Sequence, residues 1–283
     1  MNPVTRPRPL LPGPVGTPRA LVRYGWLDLH LDATTDHTLL RTLQHGAHLP
    51  PAEDTLHLAL DEGRLLVDGR PHPTDGTSSL ALAEAAYRHL HERLHERADR
   101  QGWLRLHAAA VERDGVRLLL AGPSGTGKTT LALHLQRHGW QLLGDEAVYL
   151  RGGLTAPLPR RVHVRPATAA ALPHLADTPD PVTLPYRPPL LTLDPARLQH
   201  GWTPAPAPAA HLVLLRAHHH GPSRLAPATG PDALSALAAE AAPTTHHHAN
   251  TTAQLAALLR ATRCHRLDLG DLQQAADHLA ALP

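Results

Sequence analysis

Apolar and polar positions divide the 283-residue chain into stretches of different periodicity. From Val22 to Asp68, short apolar runs such as "WLDLHL", "LHLALDEG" and "RLLVDG" are separated by Asp and Gly turn signals, with a hairpin expected at residues 61–63. Within this stretch "TLLRTLQHG" predicts a short helix that Gly46 ends. The stretch 78–102 changes to a helical period: Ala83, Tyr87, Leu90 and Leu94 share one face, Ser78 or Ser79 caps the start, and Gly102 lies just past the end.

The centre of the chain reads as strand "WLRLHAAAVER", turn Asp114-Gly115, strand "VRLLLAG", a glycine-rich loop, helix "KTTLALHLQRHG" and strand "WQLLGDEAVYL". Its strands are continuous apolar runs, which predicts a sheet covered on both faces and an α/β core. Residues 154–210 are Pro-rich and show no clear period. Beyond them come a buried strand at 211–217, helices "DALSALAAEAA" and "TAQLAALLRAT", an edge or late strand "CHRLDLG", and a closing helix capped by Asp271. The expected fold is α/β, with a Pro-rich arm (1–20), a small α+β unit (21–76) and a larger domain (77–283).

Composition narrows the classes of function. With 42% hydrophobic residues the chain can bury one or two cores. The net charge of +2 comes from nearly balanced basic and acidic residues, and no basic stripe points to nucleic acid. No stretch approaches membrane-spanning length, and the Pro- and Arg-containing N-terminus lacks the apolar run of a signal peptide. Cys264 is the only cysteine, so no intrachain disulfide forms and a cytoplasmic location is expected.

The chain has no Phe and no Ile, as a GC-biased coding background would produce, and it contains a single lysine, Lys128, against 26 arginines. A position that keeps lysine in such a background needs a compact point charge on a thin stem rather than a planar fork. Lys128 lies in Gly122-Pro-Ser-Gly-Thr-Gly127-Lys128-Thr129, a full match to G-x-x-x-x-G-K-[ST] between a strand and a helix. In such a loop the backbone N–H groups from Gly122, Ser124, Gly125, Thr126, Gly127, Thr129 and Thr130 cradle phosphates at a helix N-terminus. The lysine reaches the β and γ phosphates of ATP, and the Thr129 hydroxyl ligates Mg2+. Asp145-Glu146 follow the next apolar run, at the carboxyl edge of a strand expected beside the loop's strand. One carboxylate can hold Mg2+ while the other takes a proton from an attacking hydroxyl.

Residues 106–150 resemble the core of the bacterial HPr serine kinases, and more closely the HPr-kinase-related proteins of peptide-modification clusters. A weaker resemblance runs through "PLPRRVHVRP" and "CHRLDLGDLQQAADHLAAL". The resemblance implies a P-loop HPr-kinase-like domain, ATP and Mg2+, and a peptide or protein phosphoacceptor. It also implies Asp145 as the base acting on a serine hydroxyl, His107 as its neighbour, and Thr129 with Glu146 on the Mg2+ side. The HPr kinases form rings, so a homo-oligomer is one arrangement it implies. HPr kinases proper pair two aspartates where this chain has Asp-Glu, and they carry a later E-[IV]-R-G signature that is absent here. Recognition of HPr and reverse phosphorolysis therefore do not carry over.

Other features weigh less. Arg151, Arg160, Arg161 and Arg165 follow the acidic pair, and Arg160 or Arg161 is a candidate for contact with transferring phosphate. His91-Glu92-x-x-His95 matches a zinc-protease motif, but Ala98 and Gln101 stand where the extended form needs Gly and His. The runs at 218–220 and 246–248 read as loop segments that could bind metal adventitiously. A GTPase would need a second lysine for guanine recognition, and the β3 lysine and H-R-D of protein kinases are missing. The expected function is an ATP-dependent kinase acting on a Ser or related hydroxyl. The alternative is a P-loop ATPase or nucleotide-binding regulatory module without a phosphoacceptor.

Overall fold

In the computed structural model the described residues are 19–27, 29–34, 43, 45–47, 54–61, 63–178, 182–184, 190–218, 221–242 and 251–283. They form a mixed α/β structure with four sheets and seven α-helices. Most of the Pro-rich arm, most of the helix expected at 38–46 and the run at 246–248 lie outside the described residues.

The N-terminal stretch builds a five-stranded sheet from β1 (Arg19–Arg23), β2 (Leu29–Thr34), β3 (Asp54–Asp61), β4 (Arg64–Val67) and β5 (Arg70–His72), in chain order with only β2 and β3 parallel. The hairpin expected at 61–63 joins β3 to β4. Helix α1 (Ser79–Arg100) begins where the Ser78 hydroxyl accepts a bond from the Ala81 amide. Its apolar stripe of Leu82, Ala86, Leu90, Leu94 and Ala98, spaced by four, packs into one core with Leu56, Leu58 and Leu65 of the sheet. Burying Leu90 and Leu94 completely stabilises the contact by about 1.5–3 kcal/mol each.

Two runs that read as single strands are each broken. "WLRLHAAAVER" becomes β6 (Leu104–Leu106) and β7 (Ala108–Arg113), interrupted at His107, and "WQLLGDEAVYL" becomes β9 (Gln141–Gly144) and β10 (Val148–Arg151), interrupted at Asp145-Glu146-Ala147. The two breaks fall together: Leu106 pairs with Val148 in one sheet, and Ala110 with Gly144 in another. The ribbon thus passes from a four-stranded sheet, which also holds β11 (Leu154–Pro157) and β15 (Ala207–Pro208), into a six-stranded one, and its polar residues lie at the seam.

The six-stranded sheet adds β8 (Val116–Ala121), β16 (His211–Ala217), β17 (Arg224–Pro227) and β18 (Arg263–Leu269), in the order β17-β18-β16-β8-β7-β9. The expectation that the Asp145 strand adjoins β8 fails, because β7 pairs with both β8 and β9 and separates them. β18 is likewise interior, between β16 and β17. Leu118 and Leu120 face a core built with α2 (Lys128–Arg137) and a C-terminal helix at 272–280, whereas Leu119 and Ala121 face helices at 230–240 and 251–261. Coverage on both sides is why these strands read as continuous apolar runs.

The described residues of the Pro-rich stretch 154–210 are structured. They supply β12 (Val162–Val164), β13 (Val182–Leu184) and β14 (Leu190–Leu193) as a small antiparallel sheet, with α3 (Pro166–Ala171) and α4 (Pro195–Leu198). Three further helices complete the chain: α5 (Gly230–Glu240), α6 (Thr251–Ala261) and α7 (Leu272–Ala280), the last capped by Asp271. No helix among the described residues is long and apolar enough to cross a membrane.

Candidate active site

β8 delivers the chain into the loop 122–127 and α2 leaves it, so the glycine-rich motif sits at a strand-to-helix junction at the carboxyl edge of three parallel strands. Gly122 lies so close to β16 that a Cβ there would stand 2.7 Å from the Leu215 carbonyl oxygen. Gly127 caps α2 with φ 96°, in the left-handed region that glycine tolerates. Between them, the Thr126 hydroxyl donates to the Pro123 carbonyl at 2.9 Å, while Ser124 and Gly125 are exposed.

Lys128 folds back over this loop. Its ammonium is buried and donates to the carbonyls of Gly122 and Pro123. Burial lowers its pKa; the carboxylates of Glu240, Asp145 and Glu146 act in the opposite sense, and Arg165 adds to the lowering. The Thr129 hydroxyl donates to Asp145 Oδ2 at 2.8 Å, and Thr130 and Thr168 share a hydroxyl bond at 2.9 Å.

The seam separates the two acidic residues. Asp145 is only 1% exposed, held by Thr129 on one oxygen and by Arg160 Nη2 at 3.1 Å on the other. Burial pushes its carboxyl up, Arg160 pulls it down and Glu146 pushes it up again. Glu146 has φ 64°, unusual for a residue with a side chain, in a tight turn where the Ala147 amide bonds the Asp145 carbonyl at 2.8 Å. That turn directs the Glu146 side chain, 44% exposed, into an open cavity that Asp145 does not line. His107, Lys128, His163, Arg165 and Thr168 line the same cavity, with Ser124, Gly125, Gly127, Thr129 and Thr130 from the loop and helix.

The arginines divide differently from the sequence expectation. Arg160 Nη2 bridges Asp145 and Glu146 and its Nη1 meets the Tyr87 hydroxyl, so both terminal nitrogens are held by protein groups. Arg161 is buried against Thr192, and Arg151 stacks on Trp103 away from the cavity. Arg165 is the arginine that lines the cavity, placed there as the residue between β12 and Pro166, at the start of α3. His163 is placed by the same strand. Burial first, then the nearby Arg160 and His91, hold its imidazole at a pKa of about 2, so it is neutral.

Sequence reasoning missed Glu240. Its carboxylate, 10% exposed at the end of α5, accepts from His107 Nδ1 at 2.8 Å, and its backbone carbonyl accepts from the His107 amide at 2.9 Å. The two lie 133 positions apart, and nothing near either marks the pair. The zinc-motif histidines face inward from α1, where His91 Nδ1 bonds the Tyr87 carbonyl and His95 Nδ1 meets the Tyr149 hydroxyl. Among the described residues no group of three ligating side chains gathers to hold a metal ion.

No protein-family model and no curated protein matches the chain. Among solved structures, the HPr(Ser) kinase/phosphatase from Coxiella burnetii is similar over 62% of this chain and 96% of its own, with 11% sequence identity and a TM-score of 0.32. That is a distant structural relationship, so what this site can do rests on its own side chains.

Proposed function

We propose that the chain is an ATP-dependent kinase that transfers the γ-phosphate to a Ser or related hydroxyl on a peptide or protein. The observation that carries this is the division of labour at the seam: Asp145 bonded to Thr129 beneath the loop, Glu146 turned into the cavity. The loop amides and Lys128 would hold the phosphates, at the positive end of α2. The Thr129 hydroxyl, which Asp145 holds from beneath the loop, lines the cavity and offers an oxygen ligand that fits Mg2+, which when bound would neutralise charge on phosphate oxygens. Glu146 and His107 are the groups on the open side that can orient an acceptor hydroxyl and take its proton. Arg165 is a cation on the same wall for the transferring phosphate. The acceptor oxygen bonds to the γ phosphorus, the bond from phosphorus to the β,γ-bridging oxygen breaks, ADP leaves, and the hydroxyl proton passes to the protein.

This assignment reverses the roles implied by the family resemblance, which made Asp145 the base and put Glu146 with the metal. A carboxylate 1% exposed and held on both oxygens is badly placed to meet a substrate hydroxyl. Two variants separate the assignments. Asp145→Asn should raise the Mg2+ concentration needed for half-maximal turnover, while Glu146→Gln should keep the wild-type Mg2+ titration and MgATP affinity and lose about 100-fold in transfer from γ-labelled ATP to seryl peptides. The opposite pattern would restore the original roles. Release of inorganic phosphate with no transfer to any hydroxyl would make the protein an ATPase instead.

A further inference from the structure

We propose that Glu240 is a positioning residue that holds His107 with its proton on Nδ1, leaving the Nε2 lone pair open to the phosphate end of the cavity as a proton acceptor. His107 sits at the break between β6 and β7, where its backbone is fixed by the Glu240 carbonyl at 2.9 Å, the Leu106 to Ala241 bridge, and the Ala242 amide on the Arg105 carbonyl. The Nδ1 contact with Glu240 Oε2 at 2.8 Å therefore joins two side chains whose main chains are already in register. A carboxylate only accepts, so the imidazole donates from Nδ1 and Nε2 is the acceptor. The same logic orients the histidine of hydrolase triads. The charged groups around His107 are Glu240 from α5, Lys128 from α2, Glu146 from the seam turn and Arg165 after β12, with neutral His163 on the same wall.

Within the kinase reading, on which this rests, the acceptor hydroxyl gives its proton to His107 Nε2 as its oxygen bonds to phosphorus, and Glu146 orients the hydroxyl. The tautomer itself is independent of that reading.

The test uses full-length protein labelled with 15N-histidine, with the His107 signal identified by its absence in His107→Gln. At a pH where imidazoles are neutral, the wild type should show a protonated Nδ1 and a bare Nε2. Glu240→Ala should return His107 to the Nε2–H form that solvated imidazole prefers. In MgATP hydrolysis, with water as acceptor, Glu240→Ala should lower kcat about tenfold or more without raising KM for MgATP, because the carboxylate lies near Lys128 and its loss does not weaken phosphate binding. Glu240→Gln keeps the side-chain shape and should show the same split. An Nε2–H tautomer in the wild type, an unchanged tautomer in Glu240→Ala, or unchanged kcat in both variants would overturn the proposal. A wild type that binds no MgATP would overturn the kinase reading instead, and the 15N signals would still decide whether Glu240 sets the tautomer.

Discussion

Glu146 and Asp145 are adjacent in sequence, yet a single backbone torsion gives them different environments. The positive φ of Glu146 costs on the order of 1 kcal/mol and turns its side chain into the cavity while leaving Asp145 buried under Thr129 and Arg160. Glycine adopts this torsion freely, so Glu146→Gly should be as stable as the wild type or up to about 1 kcal/mol more stable in urea unfolding, yet lose transfer activity. A marked loss of stability would mean that the Arg160 contact, not the strain, dominates at this position. The dipeptide, the lone lysine and the loop were legible in the sequence because each is a local pattern. Which carboxylate meets Thr129 was not, because a torsion decides it and an Asp-Glu pair carries no signal for torsion.

At the level of elements, the helical and apolar periods gave α1, α2 and β8 within a few residues, because each buries a regular stripe. The broken strands were missed because "LRLHAAAV" and "LLGDEAV" stay apolar on either side of the break. Only the polar residue in the middle marks where the ribbon changes sheet. α1 also carries His91 and His95 inward, each held at a pKa of about 3, mainly by burial, and His163 of β12 is lower still. His45, packed edge-on against Trp202, is also at about 3. These imidazoles are neutral in the folded chain and bind protons near pH 6.5 when it unfolds, so the unfolded state gains protons as pH falls. Their contribution to stability is complete above about pH 6.5 and is lost between there and about pH 3, by roughly 1.4 kcal/mol per pH unit for each fully depressed histidine. Urea midpoints should therefore drop steeply from pH 7 to pH 5, and His91→Leu should flatten the slope. A midpoint independent of pH over that range would show that these side chains reach water.

Across the whole molecule, the site is assembled where two sheets meet. The β8–α2 loop supplies Lys128 and Thr129, the seam of the ribbon supplies His107 and Glu146, β12 brings His163 and Arg165, and the end of α5 locks His107 through Glu240. The first two contributions lie within 40 residues of one another and were legible. Arg165 and Glu240 come from segments whose places are fixed by tertiary packing, the Pro-rich stretch and the end of a helix, so neither could be selected from among many arginines and glutamates. All of these groups converge on one claim, that the polyphosphate tail of ATP lies against Lys128. Because Lys128 is the only side-chain amine, an amine-reactive reagent has just that group and the N-terminus to modify, and burial, by lowering the ammonium's pKa, favours the reactive free amine. The direct measurement is mass spectrometry of the labelled full chain with no nucleotide, with MgADP and with MgATP. MgATP should protect Lys128 strongly, MgADP should protect it less, and the N-terminus should react equally in all three; equal labelling of Lys128 with and without MgATP would contradict binding of the ATP phosphates at this loop.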